Sequence, residues 1–399
     1  MINLKVRTEY SFRRAYGPLE KVIATCGTEK VAITDDGTWG HVPLSKLCKN
    51  PIYGVEIAFV EDSKERSKQP INYITFLAKN NKGLKEIYNL TSMATAKENF
   101  YYVPWLDYPC LFDVSDDVYI LSGSNPNWGL LPKNKQVFAE INPMSTRKVL
   151  DLKFPLVATS DNFYPTLSDK AVYQVLVGMN RQDRTKPMHL LNEWEYKSAI
   201  PWSPQEAIDN THIIANDCNA FLTEAKLVEF KKTKTLLQLC EEGSIKLKVD
   251  LSKTNYRERL MYELGLIDKK KYEDYFFVIA DMVNYAKQHM LVGPARGSSA
   301  GSLVCYLLGI TDVDPLVHNL LFERFIDLNR EDLPDIDIDF QDDRRDMVFK
   351  YLKDKYGADK VARLGTISRY KAKSTITEVA KALKIPQWEV NDLKGAIIE

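Results

Sequence analysis

The chain has 399 residues, enough for two to three domains and for a core that needs no disulfide or zinc staple. Hydrophobic residues make up 45%, charged 27% and aromatic 11%, and 54 Lys+Arg against 54 Asp+Glu leave no net charge. That balance excludes a histone-like basic protein and an acidic tail protein. Six cysteines stand apart with no CxxC pair, which excludes a zinc ribbon, a thioredoxin-type motif and a small disulfide framework. The start, MINLKVRTEYSF, lacks a signal-peptide core, and no run approaches 18 apolar residues, so the expectation is a cytoplasmic protein without a membrane partner.

In chain order, Leu19 to Cys26 has helical apolar spacing. Lys30 to Thr34 reads as a strand ending in the turn Asp35-Asp36-Gly37. Tyr53 to Val60 and Tyr73 to Ala78 are further strands, and Leu84 to Met93 is a helix. Val118 to Leu121 and Pro155 to Thr159 continue the alternation, which predicts a parallel or barrel-like α/β unit reaching to about residue 170. Residues 170 to about 290 read as mostly helical. A Gly-rich loop, Gly293-Pro294-Ala295-Arg296-Gly297-Ser298-Ser299-Ala300-Gly301-Ser302, then leads into an apolar helix, Leu303 to Leu308. Pro334-Asp335-Ile336-Asp337-Ile338-Asp339-Phe340 alternates strictly and predicts a strand. The last helix runs Ser374 to Lys384, stopped by Pro386.

Residues two apart on a strand share a face, so Asp335, Asp337 and Asp339 lie together, with Ile336, Ile338 and Phe340 opposite. Such a face is stable against solvent, bases or divalent cations. Hard cations such as Mg²⁺ take one or two carboxylates plus substrate phosphates, and two ions clamp the oxygens of an in-line phosphoryl transfer. An acidic strand guarded against aggregation is the plain alternative. In the loop, glycines allow close backbone approach to a phosphate, Arg296 offers a charge-assisted donor, and the following helix start offers N–H groups. The loop fits neither the Walker nor the Rossmann pattern, and a tightly packed turn is its plain alternative. Loop and carboxylates together, some 40 residues apart, are a nucleotidyltransferase arrangement.

Five ordered stretches carry a resemblance: Val292–Ser298, Ala300–Val304, Leu308–Asp312, Leu320–Phe325 and Pro334–Phe340. Together they resemble the bacterial replicative DNA polymerase III alpha subunit, a C-family polymerase, with Ala295 in place of the usual glycine. The resemblance implies that Asp335 and Asp337 are two of three catalytic, metal-binding aspartates. It implies that Arg296, Gly297, Ser298 and Arg324 contact the incoming triphosphate, and that Lys373 faces DNA. Asp339 would be a neighbour rather than a principal ligand. Leu4–Ser11, Ala32–Gly37, Leu77–Asn80, Phe100–Tyr102, Leu121–Gly123 and Ala158–Asp161 are similar to a PHP (polymerase and histidinol phosphatase) domain.

The implied fold is α/β, a PHP-like (β/α) barrel-type domain over 1–225 with a helical tail from about 170. A partial nucleotidyltransferase palm of α+β type follows over 226–385, and 386–399 would start a thumb. Where the PHP pattern places metal-binding histidines, this chain has Lys5, Arg7, Asp36, Tyr73 and Phe163, and Ser124 replaces a cysteine. Asp35, Glu56 and Asp161 remain. The expectation is a degenerate pocket without metal, in which Lys5 and Arg7 replace the metal's charge by pairing with Asp35, Asp36, Glu56 or Asp161.

The resemblance further implies Mg²⁺ at the palm, primer–template DNA and dNTP as substrates, and a complementary C-terminal polymerase fragment. That fragment would supply the third aspartate, thumb and fingers, and without it the chain is expected to be inactive. A proofreading exonuclease and a sliding clamp are further implied partners. A replication scaffold and a metal-dependent PHP phosphoesterase or exonuclease are the competing readings. Charge segregates in a way that suits DNA: residues 312–343 hold 11 acids and 2 bases, and residues 344–384 hold 12 bases and 4 acids.

Overall fold

The computed structural model describes all residues except 134–135, 179–185, 224–228, 328–333 and 398–399. It divides into two compact units: Met1–Thr223 with Arg369–Glu399, and Glu224–Ser368. Residues 369–399 pack with the first unit. There the helix Ala372–Ala382 packs on Gln387–Gly395 and on Lys170–Val177.

The first unit is built on eight strands: β1 (Lys30–Ile33), β2 (Asn50–Val60), β3 (Asn72–Ala78), β4 (Phe100–Tyr101), β5 (Val103–Asp107), β6 (Val118–Leu121), β7 (Val137–Ile141) and β8 (Leu156–Ala158). The order is β4-β5-β2-β3-β6-β7-β8, with β1 beside β2, and the sheet curls into a half-barrel. It is mixed rather than parallel. β1·β2, β2·β5, β6·β7 and β7·β8 are parallel, whereas β2·β3, β3·β6 and β4·β5 are antiparallel. β2 and β3 are buried on both faces, which explains their nearly continuous apolar character. The helix Leu19–Cys26 has the predicted bounds and ends on Gly27 in the left-handed conformation.

The N-terminal residues are buried yet form no ladder. Side chains tie them down instead. Val6 N–H donates to Thr34 Oγ1, and the Val6 carbonyl accepts from Thr34 N–H, each at 2.8 Å. On the other side the Asn162 amide imitates a neighbouring strand: its Oδ1 accepts from Arg7 N–H and its Nδ2 donates to the Arg7 carbonyl, each at 3.0 Å. These bonds satisfy backbone groups that burial would otherwise leave unpaired.

The second unit packs the helices Leu236–Leu247, Thr254–Lys269, Glu273–His289 and Leu303–Leu307 around Phe276, Val283, Cys305 and Phe322. Asp335 to Phe340 lie here, and they correct the predicted strand. Faces alternate as expected, with the aspartates exposed and Ile336 and Ile338 packed on the core. The ladder is missing: among the described residues the segment makes one isolated bridge, Val292 to Phe340. Period two reports which face is buried, and a hydrogen-bonded partner is a separate requirement. Among the described residues no helix is long and apolar enough to cross a membrane.

Candidate functional site

In the first unit, charged residues converge at the carboxyl ends of the strands. Asp35 follows β1, Glu140 lies near the end of β7, and Asp161 follows β8 with a left-handed φ of 50°. Glu56 comes from the middle of β2. Glu140 and Asp161 line a cleft of about 1100 Å³ whose walls also include Lys5, Arg7, Arg14, Asp36 and Phe163.

Lys5 is 1% exposed and Arg7 2%, so both charges are withdrawn from water. Burial without partners would be prohibitive, and the partners are present. Lys5 Nζ lies 3.1 Å from Glu56 Oε1, 3.2 Å from Glu140 Oε2 and 3.5 Å from Asp161 Oδ1. Arg7 grips Glu56 through both Nε and Nη2, at 2.8 and 2.7 Å, and donates to Asp161 Oδ1 at 2.8 Å. Its Nη1 donates to the Asn162 carbonyl at 2.9 Å, and its guanidinium lies 4.4 Å from the centroid of the Phe163 ring. A third cation, Arg14, donates to Asp36 at 2.5 Å, lies 2.8 Å from Glu56 and stacks 3.6 Å over Tyr73.

Two of the four expected acids, Glu56 and Asp161, thus face Lys5 and Arg7, and two do not. Asp36 pairs with Arg14. Asp35 accepts from Thr8 N–H at 2.6 Å, Thr8 Oγ1 at 2.7 Å and Ser11 Oγ at 2.6 Å. Local donors reach it first, because Thr8 and Ser11 close one turn, with Ser11 N–H donating to the Thr8 carbonyl at 3.0 Å. Sequence reading missed Glu140 and Arg14. The alternation of Val137, Ala139 and Ile141 was the available signal for β7, and with it for a carboxylate on the face opposite those apolar residues. Tyr73 and Phe163, at positions expected to have lost histidines, instead stack on arginines.

Burial by itself would raise Glu56, but Arg14, Arg7 and Lys5 outweigh it and hold the carboxyl well below its usual range. Asp161 is likewise opposed by burial and pulled down to about 2 by Arg7 and Lys5. Burial opposes charge on Lys5 as well, and Glu140, Glu56 and Asp161 restore it, so its pKa is raised. Glu140 goes the other way. Burial pushes it up to about 7 against the pull of Lys5, with Asp161 and Glu56 adding repulsion, and its Oε1 has no hydrogen-bond partner. Asp35 is raised to about 6 by burial, despite its hydroxyl donors.

These shifts give a pH dependence with opposite slopes. Between about 4.5, its ordinary value, and 7, folded Glu140 keeps a proton that the unfolded chain has released, so stability falls as pH rises. Asp35 adds the same slope between 3.8 and about 6. Asp161 contributes stability that is present above 3.8 and is lost as pH falls through about 2. In urea unfolding from pH 5 to 8, Glu140→Gln is expected to remove most of the decline between pH 5.5 and 7.5, roughly 2 kcal/mol. An unchanged slope would contradict the Glu140 assignment.

In the second unit, Arg296, Gly297 and Ser298 open the turn Gly297–Gly301. The loop's start is anchored on the aspartate segment, with Gly293 N–H donating to the Asp339 carbonyl at 2.9 Å. Arg296 Nη1 donates to Asp339 Oδ1 at 2.8 Å, with both side chains mostly exposed. Asp335 and Asp337 are exposed and pair with no described base. Gly297 has φ +63°, and a Cβ there would sit 2.7 Å from Asp337 Oδ2. Glycine therefore lets the Asp337 carboxylate lie directly against the loop without displacement. Gly297→Ala is expected to displace that carboxylate and to strain the backbone by roughly 1–2 kcal/mol. Weaker Mn²⁺ binding, with the fold retained by circular dichroism, would show it.

One expectation for the loop is corrected. The helix Leu303–Leu307 does not offer its first N–H groups to a phosphate. Buried Glu263 already accepts from Leu303 N–H at 2.9 Å and Val304 N–H at 3.0 Å, and Ser302 Oγ takes Cys305 N–H at 3.1 Å. Arg324, the other residue expected at a phosphate, is exposed. Lys373, at the start of the helix Ala372–Ala382, belongs to the segment that packs with the first unit. Among the described residues no three His, Cys, Asp or Glu side chains converge to hold an ion.

A family model described as "PHP domain" matches residues 3–144, and one described as "Bacterial DNA polymerase III alpha NTPase domain" matches 234–399. The DNA polymerase III subunit alpha of Borreliella burgdorferi is 31% identical across 98% of this chain, and that of Ureaplasma parvum is 32% identical across 96%. That of Bacillus subtilis is 29% identical across 99%. The chain belongs to the DNA polymerase III alpha family. It spans about 40% of the length of these relatives and corresponds to their N-terminal part. In polymerase III alpha terms, the Lys5–Arg7 cluster lies in the PHP domain and the Arg296–Asp337 site in the NTPase domain.

Proposed function

We propose that the chain contributes the triphosphate-binding loop and two metal-binding carboxylates of a DNA-directed DNA polymerase. The observation that carries this is the apposition of Asp337 and Gly297, which puts an exposed carboxylate against the loop that bears Arg296 and Ser298. Asp335 and Asp337 fit a hard cation: both are exposed oxygen donors on one face, and neither pairs with a described base. Bound Mg²⁺ would neutralise charge on the transferring phosphoryl group. Arg296, Gly297, Ser298 and Arg324 would bind and orient the triphosphate of a dNTP, with primer–template DNA as the second substrate. The basic block at 344–384 suits contact with the DNA backbone.

Two carboxylates hold such ions incompletely, so a third is expected from outside residues 1–399, in the same or another polypeptide. The PHP domain, with Lys5 and Arg7 filling the space among Glu56, Glu140 and Asp161, would act as scaffold rather than phosphoesterase.

Primer extension tests this. These 399 residues alone are expected to be inactive, and activity is expected once a C-terminal polymerase part is joined or mixed in. Extension that survives Asp335→Ala in that combination would refute the assignment. Nuclease activity of these residues alone, lost on changing Glu56 or Asp161, would restore the phosphoesterase reading.

A further inference from the structure

The helix Thr254–Lys269 carries Arg259, Tyr262 and Glu263 at i, i+3 and i+4, so the three share a face. Glu263 is fully buried, which is costly for a carboxylate unless its oxygens are occupied. They are occupied. Oε1 accepts from Leu303 N–H, and Oε2 accepts from Val304 N–H and from Ser302 Oγ at 2.9 Å.

Arg259 Nε donates to Glu263 Oε1 at 2.6 Å, which orients the guanidinium. Its Nη2 then donates to two carbonyls, Gly301 at 2.6 Å and Leu320 at 3.0 Å. Gly301 closes the turn that begins at Gly297, and Leu320 leads into the turn Phe322–Arg324. The two stretches touch through their backbones, since a Cβ on Gly301 would lie 2.6 Å from the Leu321 carbonyl oxygen. Tyr262 adds a bond to the second turn, its hydroxyl donating to Glu323 Oε1 at 2.9 Å.

We infer that Arg259 and Glu263 form a positioning clamp that fixes the loop bearing Arg296, Gly297 and Ser298 relative to Arg324, and so sets affinity for a nucleoside triphosphate. The inference rests on the phosphate-binding reading proposed above. Arg296 and Arg324 are exposed side chains on separate stretches, and a polyphosphate gains from both only when their separation is already correct. Neither clamp residue would touch the ligand. Glu263 has no exposed surface, and Arg259 points its donors at Glu263 and the two carbonyls.

The test is calorimetric titration of the chain with Mg·dATP. Wild type, Arg324→Ala, Arg259→Lys and the double variant would be compared, with thermal unfolding of each. Lysine keeps the charge but cannot reach the carboxylate and both carbonyls together. Arg324→Ala is expected to weaken binding about tenfold. Arg259→Lys is expected to weaken it about fivefold in the wild-type background and less than about twofold beside Arg324→Ala, because its effect runs through Arg324. Glu263→Gln, measured the same way, replaces Arg259→Lys if that variant fails to fold.

Equal penalties in both backgrounds, or none in either, would overturn the clamp while leaving the loop assignment standing. A wild-type chain that binds no triphosphate, or one indifferent to Arg324→Ala, would overturn the loop assignment and the clamp with it. The two failures are thus distinguishable.

Discussion

Arg7→Met is expected to destabilise the first unit by about 3–5 kcal/mol, the cost of removing one partner from a buried ion pair. The methionine would recover the packing against Phe163 but none of the four hydrogen bonds that Arg7 side-chain nitrogens make with Glu56, Asp161 and Asn162. Glu56 would keep Lys5 and Arg14, whereas Asp161 would keep only Lys5, at 3.5 Å. A loss of that size is a large share of the ~5–15 kcal/mol that holds most domains folded. Urea unfolding followed by tryptophan fluorescence measures it.

The double variant Arg7→Met/Glu56→Gln should be less damaging than the sum of its parts, because it removes the stranded charge together with its partner. Additive losses would mean that Arg7 acts through packing alone. The same account predicts that metal analysis of this domain finds no stoichiometric manganese or zinc. Finding either would show that Lys5 and Arg7 do not replace the metal's charge.

The fold was legible where apolar periodicity reports burial. β1, β6 and the helix Leu19–Cys26 fall where the pattern puts them, since each is a short apolar run with a clear stop. Strand direction was not legible, and the antiparallel β2·β3 pair makes the sheet mixed. Alternation in a single strand carries no information about its neighbour. The same limit explains Asp335 to Phe340, whose faces are as predicted and whose ladder is absent.

At the candidate sites, Gly297 lies against Asp337 and Arg296 pairs with Asp339 because the loop's first residues bond directly to the aspartate segment. Glu140 and Glu263 were not legible as functional residues. Glu140 is a lone carboxylate in an apolar strand, and Glu263 is one of several charged residues on a mixed helix. What gives each its meaning is a partner 135 residues away for Glu140 and about 40 away for Glu263.

Asp337→Ala should abolish primer extension by the completed polymerase, lowering the rate by roughly 10³-fold or more. Metal ions at a phosphoryl-transfer site supply several kcal/mol of charge stabilisation, and each ~1.4 kcal/mol lost is a factor of ten. The proposed role rests on the carboxylate of Asp337 lying against Gly297. Asp337→Asn keeps the shape and loses the charge, so it should fail as badly as alanine if charge is what matters. Asp339→Ala should behave differently. Asp339 is paired with Arg296, so removing it frees a guanidinium for phosphate rather than removing a metal ligand, and extension should fall by less than about tenfold. Near-equal losses for Asp337→Asn and Asp339→Ala would mean that the face works as a diffuse negative patch. A steep loss confined to Asp335 and Asp337 is what two defined metal ligands require.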